Sequence, residues 1–377
     1  MKIALIGPTY PFRGGIAHYT TLLYRHLKKP HEVRFFAFER QYPGWLFPGR
    51  SDRDPSLAPI MEPGVLRTID SMNPVTWLRT AREIVRGDFD AVVLPWWVSF
   101  WAPQFLAIVL YVKNHSRAKI VFICHNVVAH ESKAYDRLLT RWVLNTGDGY
   151  LVHSVEDENN LRAMIPDARI CRRFHPTYDA FGGDGPDAAT CREALGLNKN
   201  DRLLLFFGFV REYKGLKYLL AAMPEILAEF PATLLVVGEF WKDKDVYLKM
   251  IEDLGIGQQV RIMDRYVPNE DVGRYFTAAD LVVQPYVSAT GSGVVQIAFG
   301  FNKPVVATAV GSLPEIVEHG ETGFLVPPED ASAISHAVLR FFKENNAWMF
   351  EENIRNRQYR FSWDHLVAGL ESIIEQA

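Results

Sequence analysis

The chain has 377 residues, of which 48% are hydrophobic and 23% charged, and its formal net charge is −3. At about 150 residues per domain this length favours two domains, and the composition excludes disordered, collagen-like and low-complexity chains. The slightly negative charge argues against a dedicated nucleic-acid binder. Three scattered cysteines are too few for a disulfide framework or zinc cluster, and we expect reduced thiols in a cytoplasmic protein: Cys124, Cys171 and Cys191.

The charge is unevenly distributed along the chain. Residues 1–180 carry 23 Lys and Arg against 17 Asp and Glu, a balance of +6, whereas the remainder carries 18 against 27, a balance of −9. This asymmetry fits two domains with different surroundings. A chance distribution is the alternative explanation.

The first apolar segment predicts a short strand rather than a signal peptide, because the apolar run is too short for one. The strand spans Lys2–Ile6 and is followed by Gly14-Gly15 and by a helical pattern over His18–Leu27. Glycines at this position allow backbone N–H groups to approach an anion at a helix N-terminus. The spacing is not that of a dinucleotide-binding loop, and a simple tight turn explains it equally well.

An uncharged run of 22 residues, Ala91–Val112, is long enough to span a bilayer. Pro95 and Pro103 interrupt it, so a buried strand over Asp90–Leu94 and a helix after Pro103 explain the run better. Four aromatic residues between these two elements could form core, an acceptor pocket or an interfacial anchor: Trp96, Trp97, Phe100 and Trp101.

A polar pair, His125-Asn126, directly follows the predicted strand Ala118–Cys124. Ligands of doubly wound sheets bind at the carboxyl ends of the strands, and His can act there as a hydrogen-bond partner or base. His130 and Glu131 could support it one helical turn later. A structural histidine is an equally good interpretation at this stage.

Strands alternate with helices through the rest of the chain, which predicts parallel sheets covered on both faces. The Gly-, Pro- and Asp-rich segment Pro176–Asp187 is predicted to be a linker. The further predicted strands are Val33–Phe38, Gly149–Val152, Arg202–Phe207, Thr233–Val237, Val260–Met263, Leu281–Gln284 and Pro304–Thr308. The further predicted helices are Gly215–Phe230, three that begin near Asp243, Asn269 and Gly293, and Trp363–Gln376. We therefore expect two doubly wound domains that face a cleft.

Two further loops have the character of anion sites. Gly208–Gly215 joins a strand to a helix and carries Arg211 and Lys214, two cations that suit a pyrophosphate, although a solvated basic turn is the alternative. Small residues over Ser288–Gly293 precede another helix. The 34 positions from Leu281 to Pro314 contain no Asp or Glu.

No metal site is predicted. Three closely spaced acidic pairs are best explained as solvated turns, or lie on the wrong edge of the sheet: Asp52/Asp54, Asp88/Asp90 and Asp243/Asp245.

Several motifs together resemble the retaining glycosyltransferases of family 4, which have the GT-B fold. In the carboxyl half these are GFVREYKG, LLVVGE, RYVPNEDVGRYFTAADLVVQPY and PVVATAVGSLPEIVEHGETGFLVPPED. In the amino half they are PTYPFRGGIAHYT and the HN pair after a strand, and RFSW near the end also matches. The resemblance covers nearly the whole chain. It implies metal-independent sugar transfer, without a cofactor, from a nucleotide-diphosphate sugar to a saccharide or lipid-linked acceptor.

The resemblance also assigns site residues. The catalytic set would be His125, Arg211 and Lys214. The donor-binding set would be Gly15, Gly208, Gly238, Tyr266, Val267, Thr290, Gly291, Ser292, Gly293, Val294 and Gln296. The acceptor-side set would be Gly14, His18, Trp96, Trp97 and Asn126.

The chain departs from the family pattern at two glutamates that usually stand eight positions apart before the PVVAT run. The equivalent positions are Ala289 and Ile297, and Gln296 could replace the second carboxylate at the ribose. Arg211 also stands two positions later than the family's most frequent arginine. These departures leave a non-catalytic nucleotide-sugar-binding or scaffold protein as the main alternative to an enzyme, with a GT-B-like sugar-nucleotide epimerase behind it.

The resemblance places the domains at residues 1–178 on the acceptor side, 179–357 for the donor, and 358–377 as a helix returning to the first domain. The basic amino half and the Trp96–Trp101 cluster suit peripheral contact with the inner face of a membrane in cell-envelope polysaccharide or glycolipid synthesis. No nucleic-acid partner is expected.

Overall fold

A computed structural model of the chain describes residues 1–44, 51–128, 134–182, 185–198, 200–345 and 347–377. His130, Glu131 and part of the predicted linker lie outside these residues. The chain divides into two compact units. Unit 1 comprises Met1–Pro55, Pro59–His175 and Ser362–Ala377, and unit 2 comprises Ser56–Ala58 and Pro176–Phe361. The predicted boundaries fall after residues 178 and 357, whereas the structure divides the chain after 175 and 361.

Unit 1 is built on a seven-stranded parallel sheet of order β3-β2-β1-β4-β5-β6-β7. Its strands are β1 (Lys2–Gly7), β2 (Glu32–Arg40), β3 (Leu66–Asp70), β4 (Ala91–Trp96), β5 (Lys119–Cys124), β6 (Gly149–Val152) and β7 (Ile170–Arg172). Its helices are α1 (Gly15–Leu27), α2 (Pro74–Gly87), α3 (Ala102–His115), α4 (Ala134–Leu144), α5 (Val155–Met164) and α14 (Trp363–Gln376). The central strands are buried on both faces, which explains their continuous apolar sequences.

Unit 2 is built on a six-stranded parallel sheet of order β10-β9-β8-β11-β12-β13. Its strands are β8 (Arg202–Phe207), β9 (Ala232–Val237), β10 (Val260–Met263), β11 (Leu281–Gln284), β12 (Val305–Thr308) and β13 (Gly323–Val326). Its helices are α6 (Ala188–Ala194), α7 (Leu216–Glu229), α8 (Lys244–Asp253), α9 (Asn269–Ala278), α10 (Gly293–Gly300), α11 (Leu313–Ile316), α12 (Ala331–Glu344) and α13 (Ala347–Arg357). The predicted α/β class with two Rossmann-like units is confirmed.

One boundary prediction is wrong. The strand expected to stop at Leu94 continues through Pro95 to Trp96, and these residues pair with Ile123 and Cys124 of β5. Strand β1 pairs only with the earlier residues of β4, from Ala91 to Val93. Pro95 is therefore tolerated, because the N–H that proline lacks would not have bonded to β1.

The helix α14 belongs to unit 1, as predicted. It packs on β6 and β7 and buries an apolar face: Trp363, Leu366, Val367, Leu370, Ile373 and Ile374. The approach is close, because a Cβ added to Gly149 of β6 would lie 2.9 Å from Cγ1 of Ile373. Unit 1 is therefore discontinuous in sequence, and its last helix comes from the far end of the chain.

Candidate functional site

The loops after β8 and β9 in unit 2 meet backbone to backbone. The Gly208 N–H donates to the Val237 carbonyl at 2.9 Å, and the Val210 N–H donates to the Glu239 carbonyl at 3.0 Å. A Cβ added to Gly238 would overlap the carbonyl oxygen of Gly208, and Gly238 has a φ of 150°, which favours glycine. The approach fixes the start of the Gly208–Gly215 loop.

The same loop holds the two predicted cations against aromatic rings. Lys214 Nζ lies 3.7 Å from the centroid of the Tyr286 ring. Arg211 Cζ lies 4.3 Å from the centroid of the Trp241 ring and 5.0 Å from that of Tyr213. Cation–π contacts attract a cation to a ring face without neutralising its charge. The rings therefore orient both side chains and leave their charges available to an anion.

The electrostatics of this pair favour anion binding. Burial, and then the neighbouring Arg211 guanidinium, lower the pKa of Lys214 to about 7. Among the described residues neither cation forms an ion pair with a carboxylate, and the nearby Glu212 instead lies 4.0 Å from Lys217. An anion bound here would stabilise the charged form of Lys214.

The loop after β11 completes this edge of the sheet. The Val287 N–H donates to the Tyr213 carbonyl at 2.8 Å, which ties it to the cation loop. The hydroxyls of Tyr286 and Ser292 lie 3.1 Å apart, and Ser292 Oγ caps α10 by accepting from the Val295 N–H. The strands β8 and β11 are neighbours in the sheet, and the strands that follow each of them lie on opposite sides. The loops after β8 and β11 therefore lie at the topological switch point, where ligands of such sheets usually bind.

The remaining predicted donor residues differ in their exposure. Gly291 and Gly293 are exposed, and Thr290, Val294 and Tyr266 are half-buried. Val267 is buried, which leaves its backbone rather than its side chain to meet a ligand. The Tyr266 ring centroid lies 6.3 Å from that of Phe209.

Gln296, which is predicted to contact the ribose, is buried in the structure. Its side chain is 1% exposed, and neither amide atom has a hydrogen-bond partner among the described residues. It lies in the second turn of α10, on the face that packs inward, so a ribose could reach it only after the side chain moves. Ala289 and Ile297, which stand where the family has glutamates, are also buried.

In unit 1 the predicted glycine pair begins α1 at the carboxyl end of β1. Gly14 has a φ of 114° and precedes the first helical residue, Gly15. His18 lies one turn into the helix and is 8% exposed, and its Nε2 lies 3.7 Å from Asp54 Oδ2. The glycine conformation explains the sequence of this turn whether or not an anion binds there.

A cavity of about 170 Å³ in unit 1 brings three predicted acceptor-side residues together, Trp96, Trp97 and Asn126. Asp136 and Arg137 of α4 contribute to its wall. Planar rings and fixed polar groups of this kind suit a sugar ring. Acceptor binding by these residues stays a prediction.

The interpretation of the aromatic cluster as a membrane anchor is wrong for two of its members. Trp96 and Trp101 are 1% and 0% exposed, in the core of unit 1. The short 3₁₀ turn Ser99–Trp101 folds the Trp101 ring onto Phe38, with ring centroids 4.2 Å apart. Neither side chain can reach a membrane surface.

His125 belongs to a cluster of three imidazoles at the carboxyl ends of β5, β6 and β7. Its ring centroid lies 5.2 Å from that of His153 and 6.2 Å from that of His175. Tyr19 of α1 meets His125 edge-on at 4.5 Å and 90°. Burial, and then the two other histidines, hold the pKa of His125 well below its ordinary value. His125 is therefore neutral near pH 7.

Sequence reasoning missed His153, His175, Trp241 and Tyr286. The signal that identified His125 also applies to His153, which directly follows the buried strand β6. Trp241 and Tyr286 stand a few residues beyond β9 and β11. Their importance depends on which loops become neighbours, and sheet order decides that.

The described residues show neither a metal-binding cluster nor a membrane-spanning helix. Groups of three or more His, Cys, Asp or Glu side chains with the geometry to hold a metal ion are not found there. Of the helices described, none is long and apolar enough to cross a membrane.

Comparison with protein families matches both units. Residues 13–172 match the model described as Glycosyltransferase Family 4, and residues 201–344 match the model described as Glycosyl transferases group 1. The D-inositol 3-phosphate glycosyltransferase 1 of Catenulispora acidiphila is 30% identical over 62% of this chain and 59% of its own. An uncharacterized glycosyltransferase of Methanocaldococcus jannaschii is 30% identical over 46% of this chain and 45% of its own. The chain thus spans about half the length of the curated relatives it matches.

Solved structures show the same fold. Sucrose-phosphate synthase from Thermosynechococcus elongatus has a TM-score of 0.72 at 21% identity and covers 100% of this chain, which covers 98% of that one. HepE of Anabaena, solved in complex with UDP, has a TM-score of 0.74 at 17% identity, with 100% of each chain covered. The two family models between them match most of the sequence, unit by unit, and the chain belongs to the group 1, family 4 glycosyltransferases with the GT-B fold.

Proposed function

We propose that this protein transfers a sugar from a nucleotide-diphosphate sugar to a saccharide or lipid-linked acceptor. One observation carries the proposal. Arg211 and Lys214 lie side by side at the carboxyl edge of the unit 2 sheet, and no carboxylate among the described residues neutralises either of them. Two half-buried cations that form no ion pair with a carboxylate among the described residues suit a ligand that carries two adjacent negative charges.

The chemistry follows from where charge develops. When the bond between the anomeric carbon and the diphosphate oxygen breaks, the leaving diphosphate gains negative charge. Arg211, Lys214 and the N–H groups that begin α10 at Gly293 stabilise that charge without having to reorganise. The acceptor oxygen bonds to the anomeric carbon on the face that the diphosphate leaves, and its proton passes to the departing phosphate oxygen. Configuration is retained, and neither a protein base nor a metal ion is required.

The acceptor is proposed to bind unit 1. Trp96, Trp97 and Asn126 line its cavity, and neutral His125 can offer one hydrogen bond to a sugar hydroxyl. Relatives named D-inositol 3-phosphate glycosyltransferases and a structural neighbour titled lipopolysaccharide outer core galactosyltransferase are consistent with a saccharide or envelope acceptor. A cytoplasmic location with peripheral contact at the inner face of a membrane is part of this proposal. If the fraction of protein that co-sediments with vesicles depends neither on their anionic lipid content nor on salt concentration, the membrane contact is contradicted.

The test is a donor panel. UDP-, GDP- and ADP-sugars are added to the full chain, and binding and slow release of the nucleoside diphosphate are measured. We expect one nucleotide class to bind and to be hydrolysed, and Lys214→Met to weaken its binding about 10- to 100-fold and to slow its hydrolysis. If every donor fails to bind, the proposed function is wrong.

A specific observation favours a second candidate, a nucleotide-sugar-binding protein that does not catalyse transfer. Ala289 and Ile297 bury apolar side chains where the family usually has two glutamates. The same panel separates the candidates, because a binding protein would retain a donor without ever releasing the diphosphate.

A further inference from the structure

The histidine cluster of unit 1 has a geometry that the proposed chemistry does not use. Three imidazoles, from loops that follow three neighbouring strands, pack with their ring centroids 5.2 to 6.2 Å apart. Tyr19 contacts all three rings, at 4.5 Å from His125, 5.6 Å from His153 and 4.9 Å from His175. Trp363, the first residue of α14, packs on Tyr19 at 5.2 Å. The cluster is thus covered by aromatic rings.

The tautomer of His153 is fixed by the backbone. Its Nδ1 lies 2.9 Å from the carbonyl oxygen of Arg173. A carbonyl oxygen only accepts, so Nδ1 carries the proton and the neutral ring has a bare Nε2. That Nε2 is buried and has no hydrogen-bond partner among the described residues, and the same holds for Nε2 of His125.

This arrangement disfavours protonation. A second proton on His153 would create a buried N–H with no acceptor among the described residues, which costs free energy. A charge on one imidazole would also repel a charge on the next at this separation. Consistently, burial and then His175 lower the pKa of His153 to about 3.

One carboxylate near the cluster, that of Asp157 on α5, is held by other groups. It accepts hydrogen bonds from the Val127 N–H at 3.0 Å and the Ser154 hydroxyl at 2.8 Å. Tyr19 on α1 packs on the cluster, the Arg173 carbonyl after β7 accepts from His153, and Trp363 on α14 packs on Tyr19. The other titratable groups nearby are Cys124 on β5, which lies near Asp157, and His365 on α14, which lies near Arg173. Of the described groups, those that act electrostatically on His125 are the two other imidazoles.

We propose that His153 and His175 are positioning residues for His125: their packed rings hold the His125 imidazole in one orientation and keep it neutral. The backbone N–H of His125 donates to the Trp96 carbonyl at 2.8 Å, which anchors the main chain at this residue. The neighbouring rings then restrain the rotation of the His125 side chain. A neutral, fixed imidazole offers a substrate hydroxyl a single directed hydrogen bond and adds no positive charge beside the acceptor. The inference rests on the proposed function for the role of His125, but its central measurement requires no sugar transfer.

The experiment is a histidine NMR titration of the full chain with two substitutions that separate the two causes. His153→Phe keeps a packed ring and removes the nitrogens that could take up a charge at low pH, whereas His153→Ala also opens the cluster to water. His336→Ala alters an exposed histidine of unit 2 and serves as the matched control. We expect His125 to stay neutral well below pH 6 in the unaltered protein, to titrate at a higher pH in His153→Phe, and at a still higher pH in His153→Ala.

Two results would overturn the proposal. One is a His125 that titrates near its ordinary pKa of about 6.5 in the unaltered protein. The other is a titration that His153→Phe leaves unchanged. Both results stand even if no donor binds, so they are distinct from a failure of the proposed function.

Turnover gives a second readout. The acid limb of the pH–rate profile should move upward in His153→Phe, because His125 now becomes charged at higher pH. A loss of turnover that is equal at all pH values would instead indicate a structural role and contradict positioning.

Discussion

In unit 2 the loops after β8 and β11 place two cations, Arg211 and Lys214, against aromatic faces at the carboxyl edge of a parallel sheet. In unit 1 the corresponding edge carries three imidazoles packed against Tyr19. Both edges remove ionisable groups from water. In unit 2 a bound anion would stabilise the charged form of Lys214, whereas in unit 1 burial and the neighbouring imidazoles lower the pKa of His125 and His153 and favour their neutral forms. The same topology therefore supports charge binding in one unit and charge exclusion in the other.

The largest effect should come from removing the charge of Lys214. Lys214→Met keeps the length of the side chain but lacks the ammonium, so a charge-assisted contact worth about 1.5–3 kcal/mol is lost. We expect donor affinity to fall about 10- to 100-fold by titration calorimetry. Lys217→Met, one turn away and 43% exposed, is the control. If Lys214→Met and Lys217→Met bind donor with equal affinity, Lys214 does not contact the donor, and the edge of unit 2 is not an anion site of the kind described.

Gly238→Ala should disturb the edge of unit 2 through its backbone. The new Cβ would overlap the Gly208 carbonyl oxygen, and the residue would be held in a backbone region that favours glycine. We expect unit 2 to lose about 1–3 kcal/mol of unfolding free energy, seen as a lower Tm. Gly257→Ala has open space around the added Cβ and should be nearly neutral. An unchanged Tm for Gly238→Ala would show that the loops are not fixed by this contact.

Donor affinity should also depend on pH with a defined sign. The free protein holds Lys214 at a pKa of about 7, and a bound diphosphate raises it, so binding takes up a proton above pH 7. The affinity for an intact nucleotide sugar should fall about tenfold between pH 6 and pH 8, as the charged fraction of the free lysine falls. The dependence should disappear in Lys214→Met. A flat profile in the unaltered protein would mean that Lys214 is already fully charged.

The smallest effect concerns the ring beneath Arg211. Trp241→Ala removes a cation–π contact worth about 0.5–1 kcal/mol, and we expect a two- to fivefold loss of donor affinity. Trp241→Phe should restore most of it, whereas Trp348→Ala, at an exposed position, should change nothing. If Trp241→Ala binds donor normally, another contact orients Arg211.

The central strands follow from sequence, because fully buried parallel strands produce apolar runs such as Lys119–Cys124 that few other structures require. The strands β3, β7 and β13 and the 14-residue helices α2 and α12 were missed. The polar edge strand β3 and the three-residue β7 lack a continuous apolar run. The end of β4 was predicted too early, at Leu94, because Pro95 was expected to end the strand. Whether a proline ends a strand depends on how far the neighbouring strand β1 extends, which is a property of the assembled sheet.

The candidate site was predictable where a loop contains its own chemistry, as in Gly208–Gly215. It was not predictable where function depends on neighbours distant in sequence. His153 and His175 become relevant only when β5, β6 and β7 align, and Trp241 only when the loops after β8 and β9 pair. The ribose contact of Gln296 was inferred from its place beside a family position, and it stays a prediction, because the side chain is buried with both amide atoms unpartnered among the described residues.

The late position of α14 in the chain has a consequence for biosynthesis. Unit 1 needs Ser362–Ala377 to cover β6 and β7, yet residues 176–361 are translated in between. At about 5–20 residues per second, that interval is roughly 10 to 40 s. During this interval the surface of β6 around Gly149, which α14 covers in the folded protein, stays uncovered. Unit 2 is free to fold in the same interval. Unit 1 is first in the sequence but is completed last, so a nascent chain stalled before Trp363 should retain a protease-sensitive amino half beside a folded carboxyl half.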